Sequence, residues 1–188
     1  MKKLFTLKPL ISMKWIVFGI LIPLFISLSG CTDYGKRGVE EYEKGNYQAA
    51  IEDFKKAIDK NPKDDLAYEA LSYAYRDYKD APNNRDNAYM CANQAISVCP
   101  KDSPNLGFHY KTLADLYRDD GNFKEANINF KKSLELSPDG YEAEYFYGVS
   151  LCSVGSYREG IAHVKKSLKL KPDYQNAKNF LNALPKNY

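Results

Sequence analysis

Side chains that commonly carry metal, redox or nucleophilic chemistry are scarce in this chain: its 188 residues hold two histidines, four cysteines and one tryptophan. Neither His109 nor His163 has a second histidine or a cysteine at helical spacing beside it, so no local zinc motif forms. Both are expected at the surface or groove edge, and no metal site or cofactor is expected. Glycine-rich phosphate loops, nucleophile elbows and His-Glu-x-x-His pairs are also missing, which removes the usual signatures of nucleotide, acyl-transfer and metalloprotease chemistry. Asp64-Asp65 and Asp119-Asp120 are adjacent carboxylates, but neighbours on a helix do not face one another. An enzyme with a small-molecule substrate is therefore not expected. The cysteines do not form a disulfide framework either. Cys91 and Cys99 fall on one predicted helix, eight residues apart, which is about 12 Å along the axis and beyond disulfide reach. They are expected as free, partly buried thiols, with a pairing of Cys152 left open.

Acidic residues are missing altogether from residues 1–30, which contain Lys2, Lys3, Lys8 and Lys14. The apolar run at 15–28 is broken only by Gly19, Pro23 and Ser27 and falls short of the ~20 apolar residues a membrane-spanning helix needs. That is the shape of a signal peptide, whose start could equally be Met13. It ends in Leu28-Ser29-Gly30-Cys31, which resembles the lipobox of bacterial lipoproteins. The resemblance implies cleavage before Cys31 and lipidation of its thiol, with two or three acyl chains giving the stable anchoring that one chain does not. Thr32, in place of Asp, resembles the outer-membrane sorting pattern of enterobacteria, so the expected location is the outer membrane, facing the periplasm. Removal of residues 1–30 leaves 23 basic against 24 acidic residues and a charge of about −1. No basic stripe is left to bind nucleic acid. Trp15 leaves with the signal, and all sixteen tyrosines stay.

Beyond Cys31 the chain repeats. Pro62, Pro100, Pro138 and Pro172 are separated by 38, 38 and 34 residues, each after an amphipathic run that proline cannot continue. Upstream the same columns recur: Ala50, Phe54, Ala57 and Ile58; Ala126, Phe130, Ser133 and Leu134; Gly160, Val164, Ser167 and Leu168. Their offsets of four, three and one place each set on one helical face. Preceding helices carry Leu71, Ser72 and Tyr75, then Leu113, Ala114 and Tyr117, then Tyr147, Gly148 and Leu151. Between the paired helices stand Gly45-Asn46-Tyr47, Gly121-Asn122-Phe123 and Gly155-Ser156-Tyr157, where glycine supplies the left-handed residue that closes a helix.

Helix, glycine turn, helix and proline at this period resemble the tetratricopeptide repeat. The resemblance implies an all-α fold, a right-handed α-solenoid of four helical hairpins plus a C-terminal capping helix. The expected divisions are a signal peptide at 1–30, repeat units at 31–64, 65–106, 107–140 and 141–174, and the capping helix and tail at 175–188. The second unit departs from the pattern, with four extra residues around 80–84 and four more before the third unit. Ser103-Pro104 there reads as a helix cap followed by a first-turn proline, so the third unit's first helix is expected to start one turn early. The first unit offers Arg37 and Glu41 where its first helix should pack, and is expected to be the least stable. It also starts almost at the lipidated cysteine, where two or three residues span only about 7–10 Å. The solenoid should then lie against the membrane, unless Gly35 and Gly38 let the first helix fray into a linker.

In tetratricopeptide stacks the first helices line the inner face. The stripe projected from that resemblance is Thr32, Gly35, Val39 and Tyr42; Leu66, Glu69, Tyr73 and Arg76; Phe108, Lys111, Asp115 and Arg118; and Glu142, Tyr145, Val149 and Cys152. Tyrosine and arginine are the commonest interface anchors, so Tyr42, Tyr73, Arg76, Lys111, Arg118 and Tyr145 are the expected partner-binding residues. The lysine and asparagine columns with which some of these domains clamp a C-terminal carboxylate hold Gly35 and Val39 here, so that mode is not expected. The expected function is a lipid-anchored adaptor that binds a protein or peptide in the bacterial envelope. The alternatives are a self-assembling structural lipoprotein and an accessory subunit of an envelope enzyme with a site in the 80–87 insertion.

Overall fold

The computed structural model describes residues 33–80 and 83–184, which form nine helices and no strand. The signal segment, Cys31, Thr32, and Ala81-Pro82 of the insertion lie outside the described residues. The helices are α1 (33–43), α2 (Tyr47–Lys60), α3 (Asp65–Asp77), α4 (Asn84–Val98), α5 (Asn105–Asp119), α6 (Phe123–Leu136), α7 (Tyr141–Ser153), α8 (Tyr157–Leu170) and α9 (Gln175–Ala183). Each of the even-numbered helices α2, α4, α6 and α8 ends two residues before one of the four spaced prolines.

Helices pair in sequence order, α3 with α4, α5 with α6 and α7 with α8, and each second helix also packs on the first helix of the next hairpin. The small column makes this possible. Ala50, Ala88, Ala126 and Gly160 are all buried at the closest approaches. A Cβ added at Gly148 would lie 2.5 Å from the Gly160 carbonyl oxygen and 3.0 Å from the Val164 nitrogen. Phe54, Phe130 and Val164 fill the space one turn on and are almost wholly buried. The core is thus a continuous seam along the stack, as a solenoid requires.

The glycine turns close as their sequence implies. Gly45, Gly121 and Gly155 have φ of +80°, +75° and +86°. In each turn the glycine N–H donates three residues back, and the next residue's N–H donates five back, as Asn122 does to Tyr117 at 2.8 Å. That pairing satisfies the last carbonyls of the first helix. The insertion turn uses Asn83 instead, at φ +61°.

Two local departures from regular repeats stand out. α5 begins eight residues before Leu113, whereas α3 and α7 begin six before Leu71 and Tyr147. Pro104 is helical in φ and ψ, and the Ser103 hydroxyl accepts from the Asn105 N–H at 3.2 Å, so the cap adds half a turn. α1 is attached mostly through polar groups. Arg37 forms a two-pronged ion pair with the buried Asp53 of α2, one arm at 2.6 Å, and Tyr42 donates to Asp77 of α3. Gly38 lies directly against the Phe54 ring. At the other end α9 buries Ala177 fully and Phe180, Leu181 and Leu184 in part. No described helix is long and apolar enough to cross a membrane.

Candidate functional site

First helices of successive hairpins join edge to edge through their polar side chains. Tyr42 of α1 bonds Asp77 of α3. From α3, Tyr73 shares a hydrogen bond of 2.9 Å with Thr112 of α5, whose hydroxyl donates to Glu69 at 2.5 Å. From α5, Lys111 lies 3.6 Å from Glu142 of α7. The result is one layer running the length of the stack.

On this layer every projected cation already has an anion. Arg76 binds Asp77 at 2.8 Å and lies over the Tyr73 ring at 4.7 Å. Asp115 takes Lys111 at 3.0 Å and Arg118 at 2.9 Å. Arg118 also covers the Phe146 ring at 4.1 Å, a stacked arrangement that favours the cation electrostatically. Burial opposes charge on Arg76 and Lys111, but Asp77 and Asp115 outweigh it and hold both pKa values above their ordinary range. For Tyr42 burial, reinforced by the bond to Asp77, pushes the phenol up. Tyr145 sits in an aromatic group with Phe146, Tyr174 and Phe180, at ring separations of 5.0, 5.2 and 6.3 Å. A cleft of about 400 Å³ opens between α5, α6 and α7, bordered by Pro104, Phe108, Lys111, Ser137, Tyr141 and Glu142.

Not all of the projected stripe faces outward. Glu69, Lys111 and Asp115 are buried between neighbouring helices, so they join hairpins and present little surface. Tyr42, Tyr73, Arg76, Arg118 and Tyr145 are half-buried. The exposed apolar members of the stripe are Val39, Leu66 and Phe108, at 46%, 53% and 46% exposure. They are the signal that an anchor list limited to tyrosine and cations passes over.

Residues 38–77 match the family model described as TPR repeat, and residues 110–139 match the one described as tetratricopeptide repeat. The chain is a tetratricopeptide repeat protein. No curated protein sequence matches it. Among solved structures, this repeat protein is similar to MamA 41-end from Desulfovibrio magneticus RS-1, at 16% identity and TM-score 0.62, covering 77% of each chain. It is similar also to the APC/C hetero-tetramer Cut9-Hcn1, at 16% identity and TM-score 0.71, over 81% of this chain and 29% of that one. A third likeness is to the first TPR of Spaghetti (RPAP3) bound to HSP90 peptide SRMEEVD. Identity there is 18% and TM-score 0.59, over 68% of this chain and 94% of that one. At such identities the shared feature is the solenoid fold.

One histidine of this tetratricopeptide repeat chain is not where the sequence places it. His109 is 1% exposed, not at a surface or groove edge. Its Nε2 lies 2.8 Å from Asp65 Oδ2, and its Nδ1 lies 3.2 Å from Glu69 Oε2. Burial alone would lower the imidazole pKa; the two carboxylates outweigh it and raise it. Cys99, the residue after α4, completes a group in which Asp65, Cys99 and His109 each offer one donor atom and all three lie within 4.8 Å of one another. No pattern along a single helix marks this group. These donors come from α3, the end of α4, and α5, and only the hairpin stacking brings them together. His163 keeps 24% of its side chain exposed and has its Nδ1 2.6 Å from the fully buried Glu144.

The adjacent carboxylates divide their work. Asp64 caps α3 by accepting from the Ala67 N–H at 3.0 Å, while Asp65 reaches His109. Asp120 accepts from Tyr89 at 2.6 Å and pairs with Arg85 at 2.7 Å, and Asp119 pairs with Arg118 at 2.8 Å. In the insertion turn Arg85 also donates to the Leu116 carbonyl, and Asn84 donates to the Tyr78 carbonyl. Cys91, Cys99 and Cys152 are free thiols. Burial pushes the Cys91 thiol up to about 11, which makes it a poor nucleophile at neutral pH.

Proposed function

We propose that this protein is a lipid-anchored adaptor of the bacterial envelope, held through Cys31 in the outer membrane and binding a protein segment along its first-helix layer. The observation that carries the binding half is the exposed pair Leu66 and Phe108, at equivalent positions of α3 and α5, on the same layer as half-buried Tyr73, Arg76, Arg118 and Tyr145, with Val39 exposed on α1. Apolar side chains left uncovered on one layer, beside tyrosine and arginine, match the make-up of binding hot spots. The likeness to a tetratricopeptide domain bound to a peptide supports the same reading at the level of the fold.

Charge defines the partner further. Arg76, Lys111 and Arg118 already have Asp77, Asp115, Glu142 and Asp119 beside them, so an acidic segment would have to displace ion pairs to gain any. The groove is suited to a segment with apolar anchors for Leu66, Phe108 and the cleft beside it, and with polar groups that bond the outer edges of the ion pairs. The anchoring half rests on the lipobox-like residues 28–31 and on the signal-like composition before them. No catalytic role is assigned.

The test is photo-crosslinking in intact envelopes from positions 66, 108 and 145, followed by capture with a variant carrying Arg76→Ala, Arg118→Ala and Tyr145→Ala together. A partner crosslinked at the groove and lost from the triple variant is expected. Capture of the same partner at undiminished yield by the triple variant would overturn the groove assignment.

A further inference from the structure

We propose that Asp65, Cys99 and His109 form a zinc-binding site that ties the second hairpin to the third. Three different donor types from three elements converge, with Cys99 and His109 buried and the Asp65 side chain 17% exposed. An N, O and S set suits zinc, whereas magnesium and calcium take oxygen donors.

Repeat symmetry singles out the same three residues. In the column of His109 the second and fourth units carry Ala67 and Ala143. Gly107 and Tyr141 stand in the column of Asp65, and Asn61, Ser137 and Lys171 in that of Cys99. Solenoid packing therefore calls for a small residue where His109 stands. The departures from the repeat coincide at one place, next to the extended 100–104 connection and the early start of α5. That early start brings Asn105 to Asp65, to which its amide donates at 3.3 Å.

The surroundings complete the coordination. A metal-bound histidine ordinarily donates its other ring N–H to a carboxylate. Glu69 lies 3.2 Å from Nδ1, which has no hydrogen bond in this structure, so a small turn of the ring would let it accept that N–H; Glu69 is itself fixed by Thr112 at 2.5 Å. Bond lengths of about 2.0–2.3 Å in a tetrahedral site put donors roughly 3.3–3.8 Å apart. The 2.8 Å contact between His109 and Asp65 then opens by about half an ångström when the ion enters, and Cys99 moves in. Zinc displaces to solvent the thiol proton of Cys99 and the proton that His109 Nε2 shares with Asp65, and takes lone pairs from sulfur, Nε2 and a carboxylate oxygen. No oxidation state changes. The fourth position is left to water, on the side where Asp65 reaches the surface. Two carboxylates facing one ring, Glu69 buried and Asp65 partly exposed, favour a positive charge between them, and a dication satisfies that field.

Cobalt(II) reports such a site directly. The full-length chain in detergent, stripped with chelator, is titrated with Co²⁺ and then with Zn²⁺. One equivalent of cobalt is expected to give a thiolate-to-metal charge-transfer band that zinc abolishes. The band should disappear in Cys99→Ser and persist in Cys91→Ser and Cys152→Ser. His109→Gln stands in the core and could fail to fold; Asp65→Asn, partly exposed, keeps a hydrogen-bonding group and should weaken zinc at least tenfold with helicity intact. The absence of a band in the wild-type chain, its survival in Cys99→Ser, or unchanged zinc affinity in a folded Asp65→Asn would each overturn the site.

Discussion

Single side chains in this solenoid carry charge into places where the repeat pattern asks only for packing. Glu144 is fully buried on α7, with His163 Nδ1 at 2.6 Å and Lys166 Nζ at 2.5 Å. Burial would raise its pKa; the bonds from His163 and Lys166 outweigh it and hold the carboxyl below its ordinary range. Since the folded value is the depressed one, the stability it contributes is present above the unfolded pKa and lost as pH falls through the folded one. Glu144→Gln should accordingly lower stability at pH 7 by about 1–3 kcal/mol, the usual loss when a buried bond to a charged group is broken. It should also flatten the decline of stability below about pH 4.5. Urea midpoints measured from pH 7 to pH 3 check both effects. Parallel pH curves for the two proteins would show that Glu144 does not govern the acid limb. None of this pairing could be read beforehand, because Glu144 and His163 lie nineteen residues apart in columns that the motif leaves unspecified. The same blindness applies to Arg37. It reads as a misfit on the packing face, yet it finds Asp53 across sixteen positions.

Elements were legible where their signals are local. Four prolines mark four helix ends, three glycines take the left-handed φ that their turns demand, and the small column falls at the closest helix approaches. Those features come from backbone sterics, which act over a few residues and so leave a pattern in sequence. The early start of α5 was partly legible: Ser103-Pro104 marks it, though the gain is two residues, not a full turn. Close approach also decides the sign of a glycine substitution. Gly→Ala in a helix ordinarily gains about 0.5–1 kcal/mol. At Gly35 nothing lies within 4 Å of the added methyl, and that gain should appear as a small rise in melting temperature. At Gly148 the methyl meets the Gly160 carbonyl at 2.5 Å, and a backbone atom in a neighbouring helix cannot rotate away. Overpacking of this kind costs about 1–3 kcal/mol and should outweigh the propensity gain. Thermal melts of Gly35→Ala and Gly148→Ala are expected to move in opposite directions, and a rise in both would mean that α7 and α8 separate more easily than their contact implies.

At the scale of the whole molecule, composition divides the chain: residues 1–30 are basic and apolar, and the rest, which includes the helical stack, is near neutral. The layer of first helices was legible as a set of columns. Which members of it are free was not, since burial of Glu69, Lys111 and Asp115 depends on how far successive hairpins overlap. Envelope anchoring rests on composition alone, and composition supplies its own assay. Trp15 is the only tryptophan, and it precedes Cys31. Processing before Cys31 would remove every indole and leave sixteen tyrosines. It would also take the chain from a formal charge of +3 to about −1. Protein extracted from membranes should then show tyrosine emission only, focus below neutral pH, and incorporate labelled palmitate. Cys31→Ser removes the atom that accepts the lipid, so it should keep Trp15 emission and the basic isoelectric point of the full chain, near 8.5. Indole emission from the wild-type extract would overturn cleavage before Cys31, and palmitate uptake by Cys31→Ser would overturn Cys31 as the lipid acceptor.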